Sequence, residues 1–341
     1  MKPSIIVPAL SIGAAAVLLA ACGGSQPPIG APGASPQVAS PPNASTPIGA
    51  KVRLSSNSLL YVSSAAGANV YVYSLPDLGQ VFQLSSLNQF GSGECTDSSG
   101  DVFITTASSA QTGTIFEYAH GGSSPIQTLD DPGYPFGCSM DPTAGDLAVS
   151  NITDNSNPSD PGYSDIAVYK NAEGSPTIYT SPKIGTLYYC GYDNAGNLYL
   201  DGADDATGKH VLFEVANGSA TVSEINIAAT VKMLGPVQWD GKSMTLVDYN
   251  NSVAAHGPEL IHRLKIENGT ATVVGTTKLT SLNNRHGGQT WIQGNEIVAI
   301  DNKNNTGVGL WKYPKGGKNH KQLQNLASEL TGVTISVASS H

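Results

Sequence analysis

A pattern that returns every 45 to 51 residues runs from residue 58 to the end of the 341-residue chain, and few folds accommodate it. It has two recurring parts. The first is a tight turn leading into a short apolar run, at residues 58–63, 100–105, 145–150, 196–201, 243–248 and 295–301. The second follows ten to twenty residues later and ends in a turn rich in Gly, Asn and Pro, at residues 70–76, 114–122, 166–174, 211–218, 261–269 and 309–317. The last large residue before each of these turns marks the period: Tyr73, Tyr118, Tyr169, Val215, Ile266 and Tyr313.

Two fainter runs complete the unit. One precedes the first part, at residues 94–97, 137–140, 189–192, 237–239 and 289–291. The other follows the second part, at residues 81–84, 126–129, 177–179, 222–225 and 271–274. Within each run, β-branched or aromatic residues alternate with small polar ones, the period of a strand. Four short strands per repeat make a propeller blade, so the fold class expected is all-β. Residues 322–330 fit either a short helix or a fourth strand of the last repeat.

The ends of the pattern are unequal. The first copy begins at its second strand, near Ser58, and residues 332–338 form an apolar run with no successor. The expectation is a six-bladed β-propeller closed by the C-terminal strand, which joins the first blade as its innermost strand. Such closure covers an edge that would otherwise invite aggregation. A β-solenoid or a sandwich with a frayed tail is the competing arrangement.

Composition narrows the function. Charged residues are 13% and hydrophobic ones 40%, too apolar for a disordered chain. The 38 Gly and 21 Pro agree with many turns. A net charge of −9 argues against a nucleic-acid partner, which requires phosphate-neutralising lysines and arginines.

The first fifty residues read separately. Residues 1–21 hold one charged side chain, Lys2, then a small and apolar run, as in a secretory signal peptide. The run is too short for a stable membrane span. Leu19-Ala20-Ala21-Cys22, followed by Gly23, resembles the bacterial lipoprotein lipobox. That resemblance implies a mature chain beginning at Cys22, lipid-anchored in the cell envelope. Gly rather than Asp after the cysteine points to the outer membrane where one exists, otherwise to the outer face of the cytoplasmic membrane. Residues 22–50 carry no Asp, Glu, Lys or Arg and read as a Pro/Gly/Ser/Ala tether, leaving 51–341 for the propeller.

Gly-Asn-Leu-Tyr-Leu-Asp at 196–201 and the Tyr-x-x-Gly turns resemble six-bladed propellers of the NHL-repeat, TolB-like and gluconolactonase-like group. In such a wheel the innermost strands line a central channel, and their first residues face one mouth of it. Here these are Glu94, Phe136, Gly137, Tyr189, Pro236 and His286. Glu94, Tyr189, Arg285 and His286 are therefore the expected ligand-binding residues. The gluconolactonase-like enzymes hold a divalent cation with acidic and amide side chains from several blades. The slots here offer one Glu, one His, aromatics and small residues, which departs from that pattern, so no metal, cofactor or catalytic residue is assigned.

The function expected is a non-enzymatic binding scaffold for a protein, a peptide or a glycan. The alternative is an envelope hydrolase or lactonase with Glu94 and His286 as acid and base. Asp201, Asp248 and Asp301, like Asp97, Asp141, Asp193 and Asp240, read as turn residues that bond nearby backbone N–H groups. Cys95, Cys138 and Cys190 hold equivalent slots in three successive repeats. Either two of them bridge neighbouring inner strands or all three are small buried residues.

Overall fold

In the computed structural model the residues described are 57–85, 87, 90–108, 112–152, 164–249, 258–280, 288–301, 306–326 and 329–338. Among them the one helical element is a 3-10 turn at Lys170–Ala172. The first three strands are β1 (Ser58–Ser64), β2 (Asn69–Leu75) and β3 (Gln80–Leu84). Next come β4 (Phe90–Thr96), β5 (Val102–Ala107), β6 (Gly113–Tyr118) and β7 (Gln127–Asp131). They are followed by β8 (Pro135–Met140), β9 (Leu147–Asn151), β10 (Asp165–Tyr169) and β11 (Thr177–Tyr179). Then β12 (Ile184–Tyr192), β13 (Leu198–Asp204), β14 (His210–Val215) and β15 (Val222–Ile227) lead to β16 (Leu234–Trp239), β17 (Met244–Asp248), β18 (Glu259–Glu267) and β19 (Thr270–Thr280). The last are β20 (Thr290–Gln293), β21 (Glu296–Asp301), β22 (Gly307–Lys312), β23 (Gly317–Lys318), β24 (Lys321–Leu323) and β25 (Leu330–Val337).

The strands form propeller-like sheets. Four have four strands each: β25-β1-β2-β3, β4-β5-β6-β7, β8-β9-β10-β11 and β20-β21-β22-β24. The remaining sheet has nine, in which the antiparallel runs β12 to β15 and β16 to β19 meet edge to edge. That seam is a parallel bridge of two residue pairs, Asn226 with Thr270 and Ile227 with Ala271. β24 occupies the outer place of the last four-stranded sheet, so part of the 322–330 segment is strand.

The C-terminal strand pairs with the first as the unequal ends require. β25 lies antiparallel to β1, from Ser58 opposite Val337 to Ser64 opposite Leu330. The innermost strands then touch in a cycle: β25 on β4, β4 on β8, β8 on β12, β12 on β16, β16 on β20, and β20 on β25. Most of the core lies between faces of neighbouring sheets. Leu60, Phe103, Leu147 and Val298 belong to one apolar cluster, and Val247, Ile261, Ile297 and Trp311 to another. Burying side chains of this kind contributes about 1.5–3 kcal/mol apiece.

A second regularity sits where each motif's first part ends. Several inner strands are bulged: β4 between Gly91 and Glu94, β8 between Pro135 and Gly137, β12 between Leu187 and Cys190, and β16 between Leu234 and Val237. A bulge leaves backbone groups without ladder partners. A polar side chain of the adjacent strand supplies them. Thr105 Oγ1 accepts from the Gly93 N–H at 2.9 Å, and Ser150 Oγ from the Gly137 N–H at 3.2 Å. Asp201 Oδ1 accepts from the Tyr189 N–H at 2.5 Å; Asp248 Oδ1 accepts from the Met233 N–H at 3.1 Å, just ahead of β16 and outside its bulge.

This refines the reading of Asp201 and Asp248. They bond backbone N–H groups, but as buried braces across two strands rather than as turn residues. The aspartates nearer the turns behave as expected: Asp97, Asp141, Asp193 and Asp240 each accept from the N–H two residues on. Asp301 ends β21.

The cysteine question resolves into both alternatives at once. Cys95 and Cys138 are joined, with Cα atoms 5.7 Å apart, and Cys190 is free and buried. Burial pushes the Cys190 thiol up to about 12. The bridge links β4 to β8 because the backbones approach closely there. A Cβ added to Gly93 would lie 2.4 Å from the Phe136 carbonyl oxygen, so only glycine fits.

Candidate ligand site at the inner-strand mouth

The inner strands leave little room along the axis. A cavity of about 40 Å3 is lined by β4, β8, β12, β16 and β20, with Cys138, Tyr189, Gln238 and Trp291 among its walls. It has room for about three water molecules, not a metabolite. Beside it, where β8, β12 and β16 begin, lies a cleft of about 390 Å3. That volume falls in the range of small-ligand sites.

The cleft is built from the starts of inner strands and the first residues beyond second strands. Phe136 comes from β8, Tyr188 and Tyr189 from β12, Met233 from the segment before β16, Tyr249 from just after β17, and His210 from the start of β14. Phe136 stands edge-on to both tyrosines, with centroids 5.7 Å from Tyr188 at 70° and 5.1 Å from Tyr189 at 67°. Tyr188 is 40% exposed, whereas Tyr189 is 6% exposed and forms a wall shared by the cleft and the axial cavity.

Polar groups behind the rings hold them in place. The Tyr249 hydroxyl donates to the Gly288 carbonyl oxygen at 2.6 Å and is also hydrogen-bonded with Tyr189. Burial raises both hydroxyls above the usual phenol value, and the nearby carboxyls of Asp201 and Glu259 push the same way. Glu259 accepts from Thr290 Oγ1 at 2.8 Å. Asp201 is fully buried and its Oδ2 has no hydrogen-bond partner. Burial pushes its carboxyl up to about 8 against the hydrogen bonds it accepts.

Of the four residues expected to bind ligand, the two that are described, Glu94 and Tyr189, do not share a cavity. Tyr189 lines the cleft. Glu94, on β4, is fully buried in a closed polar cluster and lines neither cavity. Its Oε1 accepts from Ser63 Oγ at 2.5 Å, and Gln289 grips its backbone, accepting from the Glu94 N–H at 2.8 Å and donating to its carbonyl oxygen at 2.5 Å. Gln289 Oε1 also accepts from the Val333 N–H at 3.2 Å. Burial pushes the Glu94 carboxyl up to about 8. Arg285, His286 and Cys22 lie outside the described residues.

Sequence reasoning named Phe136 and Tyr189 as mouth residues but missed Tyr249, Met233 and His210. The aromatic doublet Tyr188-Tyr189 in the same slot as Phe136 was the available signal. Tyr249 follows a strand-ending Asp and carries no periodic mark of its own. Among the described residues, no group of three or more His, Cys, Asp and Glu side chains is placed to hold a metal ion.

No protein-family model matches the chain, and no curated protein matches it. Solved structures do. A chain of a nidogen/laminin complex is similar with a TM-score of 0.59 at 14% identity, over 83% of this chain and 100% of that one. A protein of unknown function from Bacteroides caccae gives 0.57 at 10% identity, over 82% and 98%. TolB from Acinetobacter baumannii gives 0.57 at 14% identity, over 82% of this chain and 66% of that one. Identities this low speak for architecture alone. Together with the sheets and the cycle of inner strands, they make this chain a β-propeller.

Proposed function

We propose that the chain is a cell-envelope lipoprotein, anchored through Cys22, whose six-bladed propeller acts as a non-enzymatic binding scaffold. What supports six blades is the cycle of six inner strands, together with the two-residue seam at which the nine-stranded sheet divides into two four-stranded runs. What supports the anchor is the lipobox-like sequence ending at Cys22 and the uncharged tether after it. One thioether-linked diacylglycerol supplies two acyl chains, enough for stable attachment.

The observation that carries the binding reading is the open aromatic cleft beside Tyr189, built on rigid strand ends. A protein partner is in keeping with the likeness to a chain from a nidogen/laminin complex. For the hydrolase alternative, Glu94 would have to reach substrate. In this structure it is closed off by Ser63 and Gln289.

Two measurements test the proposal. Expression of the full chain in a bacterial host with radiolabelled palmitate should label the wild type and not Cys22→Ala, and the variant should leave the membrane fraction. Equal labelling or equal membrane association would remove the anchor. Incubating the purified full chain with a panel of lactones and esters, with and without calcium, should give no turnover. Turnover abolished by Glu94→Gln would replace the scaffold with an enzyme.

A further inference from the structure

We infer that the cleft at Phe136, Tyr188, Tyr189 and Tyr249 is a site for a small organic cation of the methylated-ammonium class. This rests on the reading of the propeller as a binding module and names the chemistry of what it binds.

Ring geometry is the first ground. Phe136 stands near a right angle to Tyr188 and Tyr189, so three rings shape a corner rather than a flat platform. Tyr249 and Met233 line the same space. Aromatic faces carry negative quadrupole density and attract a cation held within about 6 Å, more strongly as water is excluded. A soft thioether suits methyl groups.

Charge is the second ground. Asp201 and Glu259 are buried near the tyrosines but do not line the cleft. Among the described lining residues there is no Lys or Arg. An anion would meet ring faces with no cationic partner and gain nothing.

Hydrogen-bond capacity is the third. Apart from the tyrosine hydroxyls, the polar side chains on the lining are Thr186 and His210. His210 Nδ1 already faces the Val231 carbonyl oxygen at 3.3 Å. A sugar or a primary amine brings several donors into a lining with few acceptors and would leave them unmatched. A quaternary ammonium has no N–H to satisfy, so its desolvation cost is the smallest of the cationic choices.

The test is calorimetric titration of the full chain, purified in a non-ionic detergent, with three probes: choline chloride, its uncharged isostere 3,3-dimethyl-1-butanol, and N-acetylglucosamine. Choline should bind about tenfold tighter than the isostere, the ratio that a single good cation–π contact supplies. Tyr188→Ala should weaken choline about tenfold, while Tyr188→Phe, which keeps the ring face, should stay within about threefold of the wild type. Melting curves of both variants confirm folding, and Tyr188 is exposed enough for truncation to leave the core intact.

Equal affinity for choline and the isostere would overturn the inference, leaving an apolar hole. So would the absence of saturable choline binding. Saturable binding of the saccharide in place of choline would overturn the cation class while leaving the binding reading standing. Lactone turnover by the same preparation would instead sink the binding reading.

Discussion

Glu94 and Tyr189 occupy the same slot of the repeat, at the bulge of an inner strand, yet their surroundings are opposite. At Glu94 the mouth is shut. Gly93 and Gly332 let β4, β8 and β25 press together, and Gln289 reaches from the start of the last sheet to hold the backbones of both β4 and β25. At Tyr189 the mouth is open. Bulky rings stand between β8, β12 and β16 and hold them around a cleft of about 390 Å3. Both places keep a fully buried carboxyl pushed up to about 8, Glu94 in one and Asp201 in the other. The repeat therefore sets where a mouth residue stands, while the size of its neighbours decides whether anything reaches it.

The largest effect tests the shut side as a whole. Removing residues 330–341 takes away β25, exposes the full edge of β1 and strips the partner of Gln289 and β4. The cooperative melting transition should vanish, with near-ultraviolet circular dichroism flattened. A truncated chain that melts cooperatively would show that closure is dispensable.

Next comes the clamp. Gln289→Ala leaves the Glu94 N–H and carbonyl without their side-chain partner, and removes one from the Val333 N–H. A cost of about 2–4 kcal/mol in urea unfolding is expected, from about 1–3 kcal/mol for each buried group left unmatched with partial relaxation. A loss below about 0.5 kcal/mol, the size of an ordinary surface change, would mean that the shut side is held by packing alone.

Of similar size, and diagnostic, is the pH dependence common to both sides. The folded-state carboxyls of Glu94 and Asp201 lie at about 8, above the ordinary values of 4.5 and 3.8. The native state therefore keeps protons that the unfolded state has released across that window. Their contribution is fully present below the unfolded value and is lost as pH rises through the folded one. Each should add a fall of up to about 1.4 kcal/mol per pH unit. Glu94→Gln and Asp201→Asn should each flatten the stability profile between pH 5 and 8. A profile unchanged by either would separate the two sides.

The smallest change in stability comes from the open side. Tyr188→Ala should cost within about 0.5 kcal/mol, as exposed substitutions do, while weakening choline about tenfold. A loss of several kcal/mol would make Tyr188 a structural prop and narrow the contrast with Glu94.

The order of strands was readable in the chain, because a repeat that cannot bury its own faces must stack on copies of itself, and its unequal ends point residues 332–338 to the first strand. In runs such as 58–63 and 196–201, neighbouring residues enter different apolar clusters: Leu60 and Val62 one and Tyr61 another, Leu198 and Leu200 one and Tyr199 another. Contacts between strands far apart in sequence were not readable. Gln289 meets Glu94 across 195 positions, and Tyr249 joins Phe136 and Tyr189 from just beyond β17. Nor did spacing distinguish Cys95 and Cys138, which bond, from Cys190, which does not. Periodicity encodes which face of its own strand a side chain takes. Which mouth shuts and which gapes depends on how the volumes of residues from different repeats add up where the strands converge, and that sum exists only once the chain is folded.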